Sequence, residues 1–118
     1  MPRYLTFSQI KTALNRGKSV EFFLGSTCEG QISWLSLTPK QGLVELWRFD
    51  VFDDGADDYL DVYSFEMVEP DFLDPLRVFD AASEALSYAA ESHAAEADRW
   101  VNEGVVQDEY GDLRASQK

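Results

Sequence analysis

The chain has one cysteine and one histidine in 118 residues, and that scarcity excludes much of the chemistry a small protein can carry. Cys28 has no second thiol for an intramolecular disulfide, so stability must come from an apolar core, as suits a reducing compartment. One Cys and one His cannot complete a zinc site. A Ser-His-Asp or Cys-His arrangement would have to run through His93. His93 falls on the apolar stripe of a helical segment with no carboxylate at good spacing, which reads as a half-buried structural residue. Glu29 beside Cys28 disfavours a reactive thiolate. Glycine is too sparse for a phosphate cradle, since no Gly-Lys-Ser/Thr follows Gly25 or Gly30. No stretch approaches the roughly 18 apolar residues of a membrane span. Met1-Pro2-Arg3-Tyr4 leads into polar sequence and not into a secretory apolar run. These absences set the expectation of a soluble, cytoplasmic protein of bacterial type with no catalytic residues, no cofactor and no metal.

Positive charge is scarce too. Ten Lys and Arg stand against 22 Asp and Glu, for a formal net charge of −12. Residues 1–48 carry +3, and residues 49–118 carry −15. Such a chain repels a phosphate backbone and an anionic membrane surface, so neither nucleic acid nor membrane is an expected partner. It attracts a basic protein and speeds the encounter with one, although acidity also serves solubility alone.

Apolar and aromatic residues are plentiful, at 45% and 14% of the chain. The chain can therefore fill a core, and its length suits one domain. Thr6 and Gln9 match a capping box, Phe7, Ile10 and Leu14 follow helical spacing, and Gly17 supplies a stop, which predicts a helix over 7–16. Strands are predicted over 20–24, 31–37 and 43–52, with a hairpin loop over 38–42. In the third strand Glu45, Trp47, Phe49 and Val51 share one face, and Val44, Leu46, Arg48, Asp50 and Phe52 share the other. A turn over 53–58 leads to a fourth strand over 59–68. Asp80 can cap a long amphipathic helix over 81–103, whose stripe is Ala82, Leu86, Ala89, His93, Ala97 and Trp100. The fold class is therefore α+β, a four-stranded antiparallel meander in the order α-β-β-β-β-α. It forms a single domain over 1–104, and residues 105–118 are a partly ordered or loose tail.

Two groups of residues are candidates for a working surface. Asp50, Asp53, Asp54, Asp57, Asp58 and Asp61 crowd the expected hairpin between the third and fourth strands. Their spacing fits an EF-hand only in part, so they read as a partner-binding acidic hairpin and not as a calcium loop. Trp34, Trp47 and Phe49 pack the core if both sheet faces are covered, and form an aromatic patch if one is open. The leading expectation is a non-catalytic module that binds a basic protein, such as an immunity protein or antitoxin blocking a basic toxin or nucleic-acid-binding protein. A small-ligand domain or small enzyme with a carboxylate-aromatic pocket is the alternative, and an oligomerising structural module is the third. Monomer and homodimer both fit.

Overall fold

Thr6 starts the first helix, α1 (Phe7–Asn15), with both halves of its capping box in place. Its hydroxyl accepts from the Gln9 N–H at 3.2 Å, and Gln9 Oε1 accepts from the Thr6 N–H at 2.8 Å. Ile10 and Leu14 form its buried side. Gly17, at φ 78°, supplies the left-handed turn that ends it. The computed structural model describes residues 3–56, 58–68, 74–96 and 98–116.

Three strands follow: β1 (Val20–Cys28), β2 (Gln31–Lys40) and β3 (Leu43–Phe52), paired antiparallel in sequence order. The β2–β3 loop is shorter than the sequence suggests. Gln41 and Gly42 both take positive φ, the two-residue turn whose twist matches the flanking strands. Pro39 sits inside β2, paired with Val44, beyond the point where the register with β1 begins at Val20 and Leu37.

The chain after β3 departs from the expected meander. Residues 59–68 form no fourth strand. Val62–Ser64 is a short 3-10 helix, and Met67 makes one isolated bridge to Val51. Val62 and Phe65, three apart, both turn into the core, a spacing that a strand of period two cannot satisfy. The strand beside β3 is β4 (Arg77–Phe79), and β5 (Val101–Asn102) pairs with β1 at the opposite edge. Among the described residues, the sheet has five antiparallel strands in the order β4-β3-β2-β1-β5.

The long second helix is also divided. α2 (Ala82–His93) is preceded by Ala81, with no side-chain cap, and not by the expected Asp80. It ends at Ala94, which takes left-handed backbone angles, and the Ala95 N–H closes on Ala89 O at 3.1 Å. Nothing in the helix-favouring run around residue 94 calls for a break. The break lets Ala95 and Trp100 bury against the sheet while Val101 joins its edge. Residues 106–116, expected to lose periodicity in the tail, form a third helix, α3 (Val106–Ser116), which buries Val106 and Tyr110.

Helices α1 and α2 cover one face of the sheet, called here face A. Ile10, Leu14, Phe22, Leu35, Leu37, Leu46, Leu86 and Trp100 form its core, and the Trp100 ring meets Phe22 edge-on. On face B, α3 and the 3-10 helix cover Ile32, Val51 and Val101 with Val62, Phe65, Val106 and Tyr110. The fold is thus a three-layer α+β arrangement, with three α-helices among the described residues. No helix among the described residues is long and apolar enough to cross a membrane.

Candidate functional site

Face B is covered unequally. Strand alternation and register place Glu21 and Phe23 of β1, Trp34 and Ser36 of β2, and Glu45, Trp47 and Phe49 of β3 on it, with Val78 of β4 opposite Glu45. The helix α3 and the 3-10 helix lie over the end of the sheet that holds Ile32 and Val51. Around Glu45 and Trp47, no helix among the described residues lies above the sheet.

Four rings form a row across this face. Tyr63 meets Trp34 edge-on at 5.7 Å between centroids, and Trp34 stacks on Phe49 at 5.4 Å. Phe49 stacks on Trp47 at 6.1 Å, with planes within 6°. The offset spacing follows from two same-face residues of one strand. Burial peaks at Trp34, which is 3% exposed, and drops on either side: Tyr63 is exposed, and Phe49 and Trp47 are half-buried. The structure thus brings Trp34, Trp47 and Phe49 together on one face, with Trp47 at the open end.

Carboxylates stand at both ends of this row. At the Trp47 end, the indole N–H donates to Glu45 Oε1 at 3.2 Å. At the Tyr63 end lies Glu21, only 3% exposed. Its Oε1 accepts from the Tyr63 hydroxyl at 2.5 Å and from the Gly104 N–H at 3.0 Å. Burial raises the Glu21 pKa above its ordinary range, the two hydrogen bonds oppose that rise, and the negative charge of Glu103 adds to it. The Tyr63 phenol is pushed up in turn, by burial and then by its bond to Glu21. Reading the sequence for motifs misses Glu21, Tyr63 and Gly104. The available signal was a single acid between Val20 and Phe22 in an apolar strand.

The described aspartates of the acidic group differ in their surroundings. Asp50 points to face A, where it accepts from the Ser33 hydroxyl and from Arg48 Nε at 3.2 Å. Arg48 Nη1 also donates to His93 Nδ1 at 3.2 Å. His93 therefore stands at the end of α2 beside a cation, and its pKa is lowered by burial and by Arg48, against a smaller raising effect of Asp50. Asp53 accepts from the Tyr110 hydroxyl and so fastens the loop to α3. Asp54, Asp58 and Asp61 are exposed, and Asp57 lies outside the described residues. No group of three or more His, Cys, Asp or Glu converges on a metal position among the described residues.

A second polar cluster ties the N-terminal segment to α3. Arg3 donates to Glu109 at 2.7 Å and pairs with Asp112 at 2.6 Å. Arg99 lies 5.1 Å over the Tyr4 ring and 3.7 Å from Glu109. Tyr4, Arg99, Glu109 and Asp112 border a cleft of about 440 Å³ walled by Phe23, Leu24 and Leu113. The arginines and carboxylates of this cluster neutralise one another, which is the arrangement of a clamp.

No protein family, no characterised protein and no solved structure matches this chain, so its geometry is the basis for a functional reading.

Proposed function

We propose that this protein is a non-catalytic binding module that docks a basic protein on the open half of face B. The supporting observation is the aromatic row that runs from Tyr63 of the 3-10 helix to Trp47, with Glu45 hydrogen-bonded to its last ring. Half-buried aromatics at the centre of a surface, with charge around them, have the composition of an interface core and rim. Glu45 beside Trp47 and Glu103 near Glu21 give that surface its sign, and the net charge of −12 extends it. Of the strand cations, Arg48 and Arg77 lie on face A, and Lys40 stands at the hairpin end of face B.

Within this class, the size and acidity suit an immunity protein or antitoxin that covers the working surface of a basic toxin. Relative to the sequence-based expectation, the proposed surface moves from the Asp50–Asp61 segment to the aromatic row, because Asp50 and Asp53 are already hydrogen-bonded to Ser33 and Tyr110.

The test is a capture experiment with immobilised wild-type protein and a Trp47→Ala/Phe49→Ala variant in lysate of the native host. A basic protein should be held at low salt in stoichiometric amount, released at high salt, and lost from the variant. Retention of the same protein by the variant, or retention indifferent to salt, would refute this reading.

A further inference from the structure

We infer that the anchor of the basic partner is an arginine side chain, seated on the side of Trp47 away from Phe49 and paired with Glu45. This rests on reading face B as the docking surface and names what that surface selects.

Trp47 ends the aromatic row. Phe49 packs on one side of its indole, and among the described residues no second ring packs on the other. The indole N–H holds Glu45 Oε1 at the ring edge, and Trp47 is the only side chain among the described residues that hydrogen-bonds Glu45. Glu45 thus keeps acceptor capacity beside a half-buried indole that meets Phe49 and no other ring among the described residues. Val78, opposite Glu45 on β4 and 45% exposed, adds an apolar wall for a long aliphatic stem.

The same combination is complete elsewhere in this molecule. Arg99 lies 5.1 Å over Tyr4 with the Glu109 carboxylate at 3.7 Å. At Trp47 and Glu45 the ring and the carboxylate are present, and no arginine of the described residues joins them. A planar guanidinium can stack on the indole and meet the carboxylate with its fork, whereas an ammonium offers a point charge that stays hydrated. The surface should therefore prefer arginine to lysine at equal charge.

The probes are two peptides, (Gly-Arg)₄ and (Gly-Lys)₄, titrated into the full chain at low salt. Affinity and the indole N–H resonance of Trp47 are both followed. The arginine peptide should bind about threefold to tenfold more tightly and shift that resonance. Trp47→Ala and the conservative Glu45→Gln should each abolish the preference. Equal binding of both peptides with an unmoved resonance overturns the arginine anchor and leaves the docking of basic chains standing. A preference that survives both substitutions overturns it too. Binding of neither peptide overturns both readings.

Discussion

Tyr63 donates a 2.5 Å hydrogen bond to the buried carboxylate of Glu21, across 42 positions of sequence. The Gly104 N–H donates to both partners, at 3.0 Å to Glu21 and 2.9 Å to the Tyr63 oxygen. One carboxylate therefore ties β1 to the 3-10 helix and to the turn before α3, all on face B.

That arrangement predicts a pH dependence. The folded Glu21 carboxyl titrates above its ordinary value of 4.5, because burial disfavours the charge. Between the unfolded and folded values, the folded state holds a proton that the unfolded chain has lost. Stability from this group is therefore highest below about 4.5, falls as pH rises through that interval, and stays lower above it. Glu21→Gln keeps an acceptor for both donors and removes the buried charge. It should raise Tm at pH 8 by a few degrees and bring no gain at pH 4. Thermal melts at the two pH values check this, and a variant that melts below wild type at pH 8 would contradict it.

Tyr63→Phe should act in the opposite direction. It removes one of two donors from a buried carboxylate, at a cost of about 1–3 kcal/mol at pH 7. Urea unfolding measures the loss. It should be much smaller in a Glu21→Gln background, because the partner is then uncharged. Equal losses in the two backgrounds would mean that the hydroxyl acts independently of Glu21.

His93 should titrate below 6.5, since burial and then Arg48 both disfavour its proton. Its contribution to stability is lost below the folded pKa and is present at and above neutral pH. Arg48→Gln should move the midpoint upward without fully restoring 6.5, because burial remains. Imidazole resonances followed from pH 4 to 8 decide the matter. A wild-type midpoint at or above 6.5 would show that the Arg48 contact is not populated.

The three tryptophans should differ in reach. Trp34 is 3% exposed and Trp100 fully buried, while Trp47 is half-buried on the open face. Acrylamide should quench one accessible component of fluorescence, and Trp47→Phe should remove it. Trp100→Ala should cost about 3–5 kcal/mol by leaving a core cavity. Trp47→Ala should cost clearly less.

Gly55 should tolerate no side chain. A Cβ there would stand 2.6 Å from Tyr110 Cε2 and 2.7 Å from Cζ, under a ring that is itself fully buried. Gly55→Ala should cost about 1–3 kcal/mol and weaken hydrogen-exchange protection in α3. Unchanged protection there would show that the loop and the helix are not packed as described.

Much of the first half of the fold was legible because its signals are local. The Thr6–Gln9 capping box, the Ile10 and Leu14 spacing, and the alternation over β3 state their structure within a few residues. The second half was not legible in this way. Residues 59–68 have strand composition, yet they fold around Val62 and Phe65, which pack with Tyr110 of a helix some fifty positions away. The run after His93 favours helix, yet it turns at Ala94 so that Trp100 and Val101 can reach opposite faces of the sheet.

The candidate site divides along the same line. Alternation alone puts Glu45, Trp47 and Phe49 on one face of β3, and composition alone makes the protein acidic. Whether that face was covered depended on where α3 lay, and α3 leaves the Trp47 end open. The aspartates show the converse. Their crowding was plain in the sequence, but Asp50 pairs with Arg48, Asp53 holds Tyr110, and Asp54, Asp58 and Asp61 face solvent. Sequence determined which side chains share a strand face, because the pleat has a fixed period of two. Tertiary structure decided which of them are buried, paired or exposed, because those states depend on elements that meet only when the chain has closed on itself.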